Sequence, residues 1–220
     1  MQLKHKLIAE FLGTAFLLAT VVGSGIMGER LAAGNVAIAL LANTLATGAI
    51  LTCLILTFSK ISSHFNPAVT SVTAGLGQLR WQVVPAFVIV QMIAAVTGVV
   101  AANLMFGLPP LYLSIHERTG YAQWFSEGVA TFGLITVILF GDKYRGEAVP
   151  YIVGAYITAA YWFTSSTSFA NPAVTIARCL SNTFAGIRPQ DVGGFVAAQT
   201  IGAALAAILF WWFHKGEGVA

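Results

Sequence analysis

Two asparagines carry the sharpest chemical signal in this chain. Asn66 follows Ser62, Ser63, His64 and Phe65, Asn171 follows Thr167, Ser168, Phe169 and Ala170, and each opens Pro-Ala-Val-Thr and a short apolar stretch. An Asn at a helix cap accepts a backbone N–H through its side-chain oxygen, and Pro suits the first turn, where no amide hydrogen is missed. That leaves the amide NH₂ of each Asn as an outward donor. The stretches after them, predicted as helix over 67–76 and 172–180, are about 15 Å long at roughly 1.5 Å per residue, near half a bilayer's hydrocarbon core. Such a helix enters a membrane without crossing it. Two of them head to head present two Asn donors and two positive dipole ends to whatever lies between. Catalytic chemistry is not indicated: within the apolar blocks no Ser/His, His/Glu or paired-carboxylate arrangement falls on adjacent helical turns. His64 has no His or Cys neighbour in sequence with which to hold a metal. No cofactor is expected.

The composition sets those helices in lipid. Of 220 residues, 57% are hydrophobic and only 9% charged, and the mean hydropathy is +0.81, which defines a multi-span membrane protein. A net charge of +3 raises nucleic acid as a partner, but the Lys and Arg residues are scattered singly between apolar blocks instead of forming one basic face. Cys53 and Cys179 are too few and too far apart for a disulfide framework or a metal site. The N-terminal Met-Gln-Leu-Lys-His-Lys and its apolar continuation resemble a signal peptide. The stretch runs to about Met27 and carries Glu10, so it reads as the first span.

Six blocks are long enough to span: Ile8 to Met27, Asn35 to Phe58, Val83 to Phe106, Ala122 to Gly141, Val149 to Thr167 and Val192 to Phe213. They repeat. Glu10 with Thr14 is matched by Glu127 with Thr131, and the Gln91 block by the Gln199 block, so each half reads Glu-span, span, Asn-Pro-Ala, Gln-span. Three crossings per half is an odd number, and the second half therefore enters from the opposite side. The fold class is all-α: six transmembrane helices and two re-entrant half-helices in an inverted 3+3 repeat, with residues 1–107 and 121–220 as the halves and 108–120 as an external connector. Non-helical backbone at mid-membrane must be buried in protein or line water, so both Asn-Pro-Ala segments mark an aqueous path. With the N-terminus inside, seven Lys and Arg residues are cytoplasmic and four external, Arg30, Arg118, Arg178 and Arg188, in the sense of the positive-inside rule. Trp162, Phe163, Trp211 and Trp212 fit interface anchors at span ends.

With the doubled Asn-Pro-Ala at Asn66 and Asn171, the opening Ala-Glu-Phe-Leu-Gly-Thr at 9–14 and the mid-span glutamines, the chain resembles the aquaporin and aquaglyceroporin family over nearly its whole length. The resemblance implies a homotetramer with a pore in each subunit, and passive flow of small neutral solutes and water through a lipid bilayer. It implies that carbonyls of Ser62, Ser63, His64 and Phe65, and of Thr167, Ser168, Phe169 and Ala170, line one wall. Glu10 and Glu127 would lie behind these loops and accept their N–H groups, the alternative being a hydrogen-bonded pair of buried acids. Family spacing places the narrowest ring at Ala46, Ala159, Ser168 and Val174. Val174 stands where most members carry Arg, a departure shared with a bacterial branch associated with arsenic resistance. A small, uncharged ring implies solutes larger than water, such as glycerol, urea or arsenous acid. A narrower water or ammonia channel is the alternative, and would need a bulky neighbour such as Leu45 or Tyr161 to turn into the ring. A secondary transporter is a third. Two placements are open to Arg178, one turn beyond Val174: lining the outer mouth in place of the missing charge, or snorkelling to the interface. Short termini and loops point to a bacterial inner membrane with both termini cytoplasmic.

Overall fold

The computed structural model describes residues 1–215, and among these every regular element is helical. The first half contains α1 (Leu3–Leu31), α2 (Val36–Phe58), the half-helix α3 (Pro67–Gly75) and α4 (Val84–Met105). The second repeats the order with α5 (Tyr121–Arg145), α6 (Val149–Phe163), the half-helix α7 (Pro172–Arg178) and α8 (Pro189–His214). Both half-helices stop short of the sequence expectation, at Gly75 and Arg178. Helix α6 ends at Phe163, four residues before the expected Thr167, because Thr164 is extended and starts the chain on its way back in. Among the described residues five helical stretches are long and apolar enough to cross a membrane, one of them running from Tyr121 to Phe163 and containing both α5 and α6.

The polarity of the bundle is inverted relative to a water-soluble protein. Along α1, Ile8, Leu12 and Phe16 are exposed at helical spacing while Glu10, Gly13 and Thr14 are buried on the other face. Helices α4 and α8 follow the same rule, with Ile89, Ile93, Ile201 and Leu205 outside and Gln91 and Gln199 fully buried. Apolar surface outward and hydrogen-bonding groups inward suit a chain solvated by lipid around a polar centre.

Helix α1 packs on α4 and α2, α5 on α8 and α6, and α2 against α6 joins the halves. Small residues set how closely they approach. At the α2–α6 crossing a Cβ on Gly48 would meet Thr158 Oγ1 and the Gly154 carbonyl, and one on Gly154 would meet Thr52 Oγ1 and the Gly48 carbonyl. The two threonines return their hydroxyls to those same carbonyls, Thr52 to Gly48 at 3.0 Å and Thr158 to Gly154 at 2.8 Å. The contact is thus the same on both helices, as an inverted repeat requires. Gly13 leaves room for the Phe65 ring, which a Cβ would strike; the corresponding pair in the second half is Ala130 with Ala170, a small side chain in each place.

Replacing Gly48 by Val should force α2 and α6 apart and destabilise the bundle by about 1–3 kcal/mol. The effect is read as a fall in melting temperature of the detergent-solubilised protein. An unchanged melting temperature would show that the helices do not meet there.

Candidate pore

The non-helical segments before each half-helix are held by carboxylates. Glu10 Oε1 accepts from Ser62 Oγ at 2.6 Å and His64 N at 2.8 Å, and Oε2 accepts from Phe65 N at 2.7 Å and Gln91 Nε2 at 2.9 Å. Glu127 takes Phe169 N at 2.8 Å, Ala170 N at 2.9 Å and Gln199 Nε2 at 2.6 Å. Both glutamines also donate into the following half-helix, Gln91 to Thr70 Oγ1 at 2.9 Å and Gln199 to Thr175 Oγ1 at 2.8 Å. Each acid therefore satisfies one loop, with no hydrogen bond between the two acids. Donors that would cost several kcal/mol each if stranded in hydrocarbon are accounted for.

Phe65 and Ala170, each directly before its Asn, have φ of 50° and 48°, in the left-handed region that non-glycine residues rarely occupy. Thr167 and Ser168 share it, at 61° and 49°. Such residues cost of order 1–3 kcal/mol each and persist where the surroundings over-determine them. The two Asn side chains show what the left-handed backbone achieves. Asn66 Nδ2 donates to the Ala170 carbonyl and Asn171 Nδ2 to the Phe65 carbonyl, both at 2.8 Å, while their Oδ1 atoms cap Ala68 N at 2.9 Å and Ala173 N at 3.0 Å. The halves are cross-bolted at the centre. The Asn amides are accordingly not wholly free: each spends one hydrogen on the opposite loop and keeps one.

One cavity of about 510 Å³ passes both asparagines. Its lining includes Lys60, Gln78, Asp142 and Glu147 at one end, and Tyr161, Ser168, Phe169, Val174 and Arg178 at the other. Ser63, His64 and Phe65 face it; Thr167, Ala170 and Ser62, which turns back to Glu10, do not. His64 Nδ1 lies 3.1 Å from Thr70 Oγ1 and its ring packs on Phe87.

Ala46 and Ala159 do not line the cavity. Ala46 is half-buried and Ala159 is exposed on the outer face of α6. The lining from α2 includes Thr47, Leu51 and Ile55, and that from α6 includes Val153, Ile157 and Tyr161, each set one turn apart. The counted positions miss by one and two residues, and at 3.6 residues per turn a one-residue shift rotates a side chain by about 100°. Leu45 is exposed. Tyr161 is inside: Thr47 gives its hydroxyl hydrogen to Asn43 O at 2.8 Å, so the Tyr161 hydroxyl, 3.3 Å away, is the donor to Thr47 Oγ1.

Arg178 does not snorkel. It is 1% exposed, lies on the cavity wall, donates through Nε to the Ala185 carbonyl and stacks 3.3 Å from the Phe169 ring centre. A second arginine, unmarked by sequence reasoning, lies beside it. Arg118 of the connector is only 8% exposed and donates to the carbonyls of Gly186 at 2.8 Å, Ser166 at 3.3 Å and Phe184 at 3.4 Å, with its guanidinium 5.0 Å from the same Phe169 ring. Burial pulls its pKa down to about 10, opposed by Glu127, so it stays charged at neutral pH. The connector reaches this depth by pairing with the chain after α7, Tyr112 N to Leu180 O at 3.1 Å and Ser114 N to Cys179 O at 2.9 Å. In the sequence Arg118 stands only in the external connector, a place equally suited to an exposed loop.

A lipid-facing helical bundle in which two half-helices meet at a continuous cavity defines a membrane channel. The comparisons with known proteins say which kind. The profile of the major intrinsic protein family matches residues 1–161. The chain is 55% identical over 211 residues to aquaglyceroporin AqpS of Rhizobium meliloti (strain 1021), covering 96% of this chain and 90% of that protein. It is 30% identical over 213 residues to aquaporin NIP1-2 of Oryza sativa subsp. japonica, covering 91% and 69%. The X-ray structure of the aquaglyceroporin from Plasmodium falciparum superposes with a TM-score of 0.67 at 18% identity over 96% of this chain and 95% of that one, a likeness of fold. This protein belongs to the major intrinsic protein family.

Replacing Glu127 by Ala leaves Phe169 N and Ala170 N without their acceptor. Water flux per reconstituted protein should fall at least about tenfold, with a loss of about 3 kcal/mol in stability. Stopped-flow light scattering on proteoliposomes measures it, and near-normal flux would make the carboxylate dispensable.

Proposed function

We propose that the channel carries small neutral hydroxylated or amide solutes, glycerol and urea among them, together with water and neutral metalloid hydroxides such as arsenous acid. The observation that carries this reading is Val174 on the cavity wall directly after the second Asn-Pro-Ala, where the family resemblance leads one to expect Arg. Around it the helices contribute apolar side chains, Leu51, Ile55, Val153 and Ile157, and the re-entrant segments contribute polar ones, Ser63, Asn66, Ser168 and Asn171. A solute with carbon on one side and hydroxyls on the other finds both surfaces; a cation finds no replacement for its hydration shell. That the Rhizobium meliloti relative is named an aquaglyceroporin supports the same class of solute.

The ring that selects is then drawn from Thr47, Tyr161, Ser168, Val174 and Arg178. Tyr161, bonded to Thr47, narrows this end and favours a second reading in which only water and ammonia pass. Ion-coupled transport is disfavoured because both intramembrane acids are engaged with the loops. Four copies side by side, in a bacterial inner membrane with both termini cytoplasmic, fit the family resemblance and the excess of Lys and Arg on that side.

Glycerol-driven swelling against a purely osmotic gradient separates the two readings. Val174→Arg should lower glycerol permeability at least about tenfold, equivalent to about 1.4 kcal/mol, while retaining water flux. Equal glycerol flux in both proteins would remove Val174 from the selecting ring.

A further inference from the structure

Arg178 has no acid to balance it. Glu127, the intramembrane acid of the same half, has both oxygens occupied by Phe169 N, Ala170 N and Gln199. Asp191 accepts from Arg118 N at 2.7 Å and pairs with Arg188 at 2.8 Å. Among the described residues no carboxylate forms an ion pair with Arg178, and the neighbouring Arg118 guanidinium donates only to backbone carbonyls. Two buried cations thus share the Phe169 ring, with the Tyr161 hydroxyl hydrogen-bonded to Arg178 but no carboxylate in contact with either guanidinium, an arrangement that is unfavourable in a low-dielectric interior unless something else supplies negative charge.

The cavity beside them is equipped to receive it. Arg178 Nη1 has no hydrogen-bond partner, Ser168 Oγ has none, both residues are almost fully buried, and both line the cavity. One unsatisfied charged donor and one unsatisfied hydroxyl ask for a ligand with two oxygens and a negative charge. Val174, Tyr161 and Phe169 close in around the same end and limit it to a small one.

From this we infer that Arg178 and Ser168 form a binding site for a small monovalent oxyanion at one end of the pore, and that an anion held there obstructs the passage of neutral solutes. The inference rests on the channel reading for its effect on flux, and on side-chain geometry alone for the site itself. A weak oxyacid then meets the channel in two ways: the neutral acid travels as a solute, and its conjugate base docks.

Nitrate is a suitable probe, with gluconate at equal concentration and ionic strength as the control too bulky to enter. In proteoliposomes with the salt on both sides, nitrate should slow glycerol and water flow saturably and several-fold relative to gluconate. Arg178→Gln should abolish the difference, Arg178→Lys should weaken it, and Ser168→Ala should shift half-inhibition to higher nitrate. In detergent, nitrate should raise the melting temperature of the unaltered protein above its value in gluconate. Nitrate and gluconate acting alike on both flow and melting temperature would overturn the site. So would undiminished nitrate sensitivity in Arg178→Gln, or in Ser168→Ala should the arginine variant not fold. Absent glycerol flow would refute only the glycerol reading, because water flow and melting temperature still report on nitrate.

Discussion

A membrane interior offers no water to a backbone that leaves the helical path, and everything distinctive about this chain follows from that shortage. The segments before the half-helices leave the helical path, with Phe65, Thr167, Ser168 and Ala170 left-handed, and expose amide groups that no helix can satisfy. A glutamate on the first helix of each half gathers those amides, and a glutamine on the last helix ties that acid to the half-helix beyond. The long helices act as a frame around these two knots. Their close contacts at Gly13 and Gly48 matter because they fix where the knots sit.

Once the loops are held, their unsatisfied atoms become a surface. Hydrogen-bonding groups on the re-entrant segments face a cavity whose remaining wall is helical and apolar, so the same constraint that demands the glutamates also creates the polar track. A solute inside trades hydration for these fixed groups. The two ends of the track differ. One carries Lys60, Asp142 and Glu147, charges of both signs, and the other has the two arginines around Phe169.

Much of this was legible in the order of residues because the chain states it twice. Glu10 and Glu127, Gln91 and Gln199, Asn66 and Asn171 stand at matching places, and an inverted repeat converts that match into geometry. What failed to read were angular and tertiary facts. Ala46 and Ala159 are near Thr47 and Tyr161 in sequence, but a helix turns so far per residue that neighbours face lipid and pore respectively. Arg178 shares the cavity wall with Val174, yet no local pattern announces that the segment through Ala185 folds over it and shuts off the route to the interface. Arg118 depends on a connector pairing with residues 179–188, a contact between distant stretches with no local pattern to announce it.

The reciprocal bonds from Asn66 to Ala170 and from Asn171 to Phe65 also bear on how the molecule comes into being. During synthesis the amino-terminal half reaches the bilayer first, and until residues near 170 arrive, its Asn66 amide and Phe65 carbonyl lack their partners. A ribosome-bound intermediate must therefore keep that hairpin shallow, hydrated or sheltered by the insertion machinery. The finished lumen is created late, when the second half docks and both sides seat together.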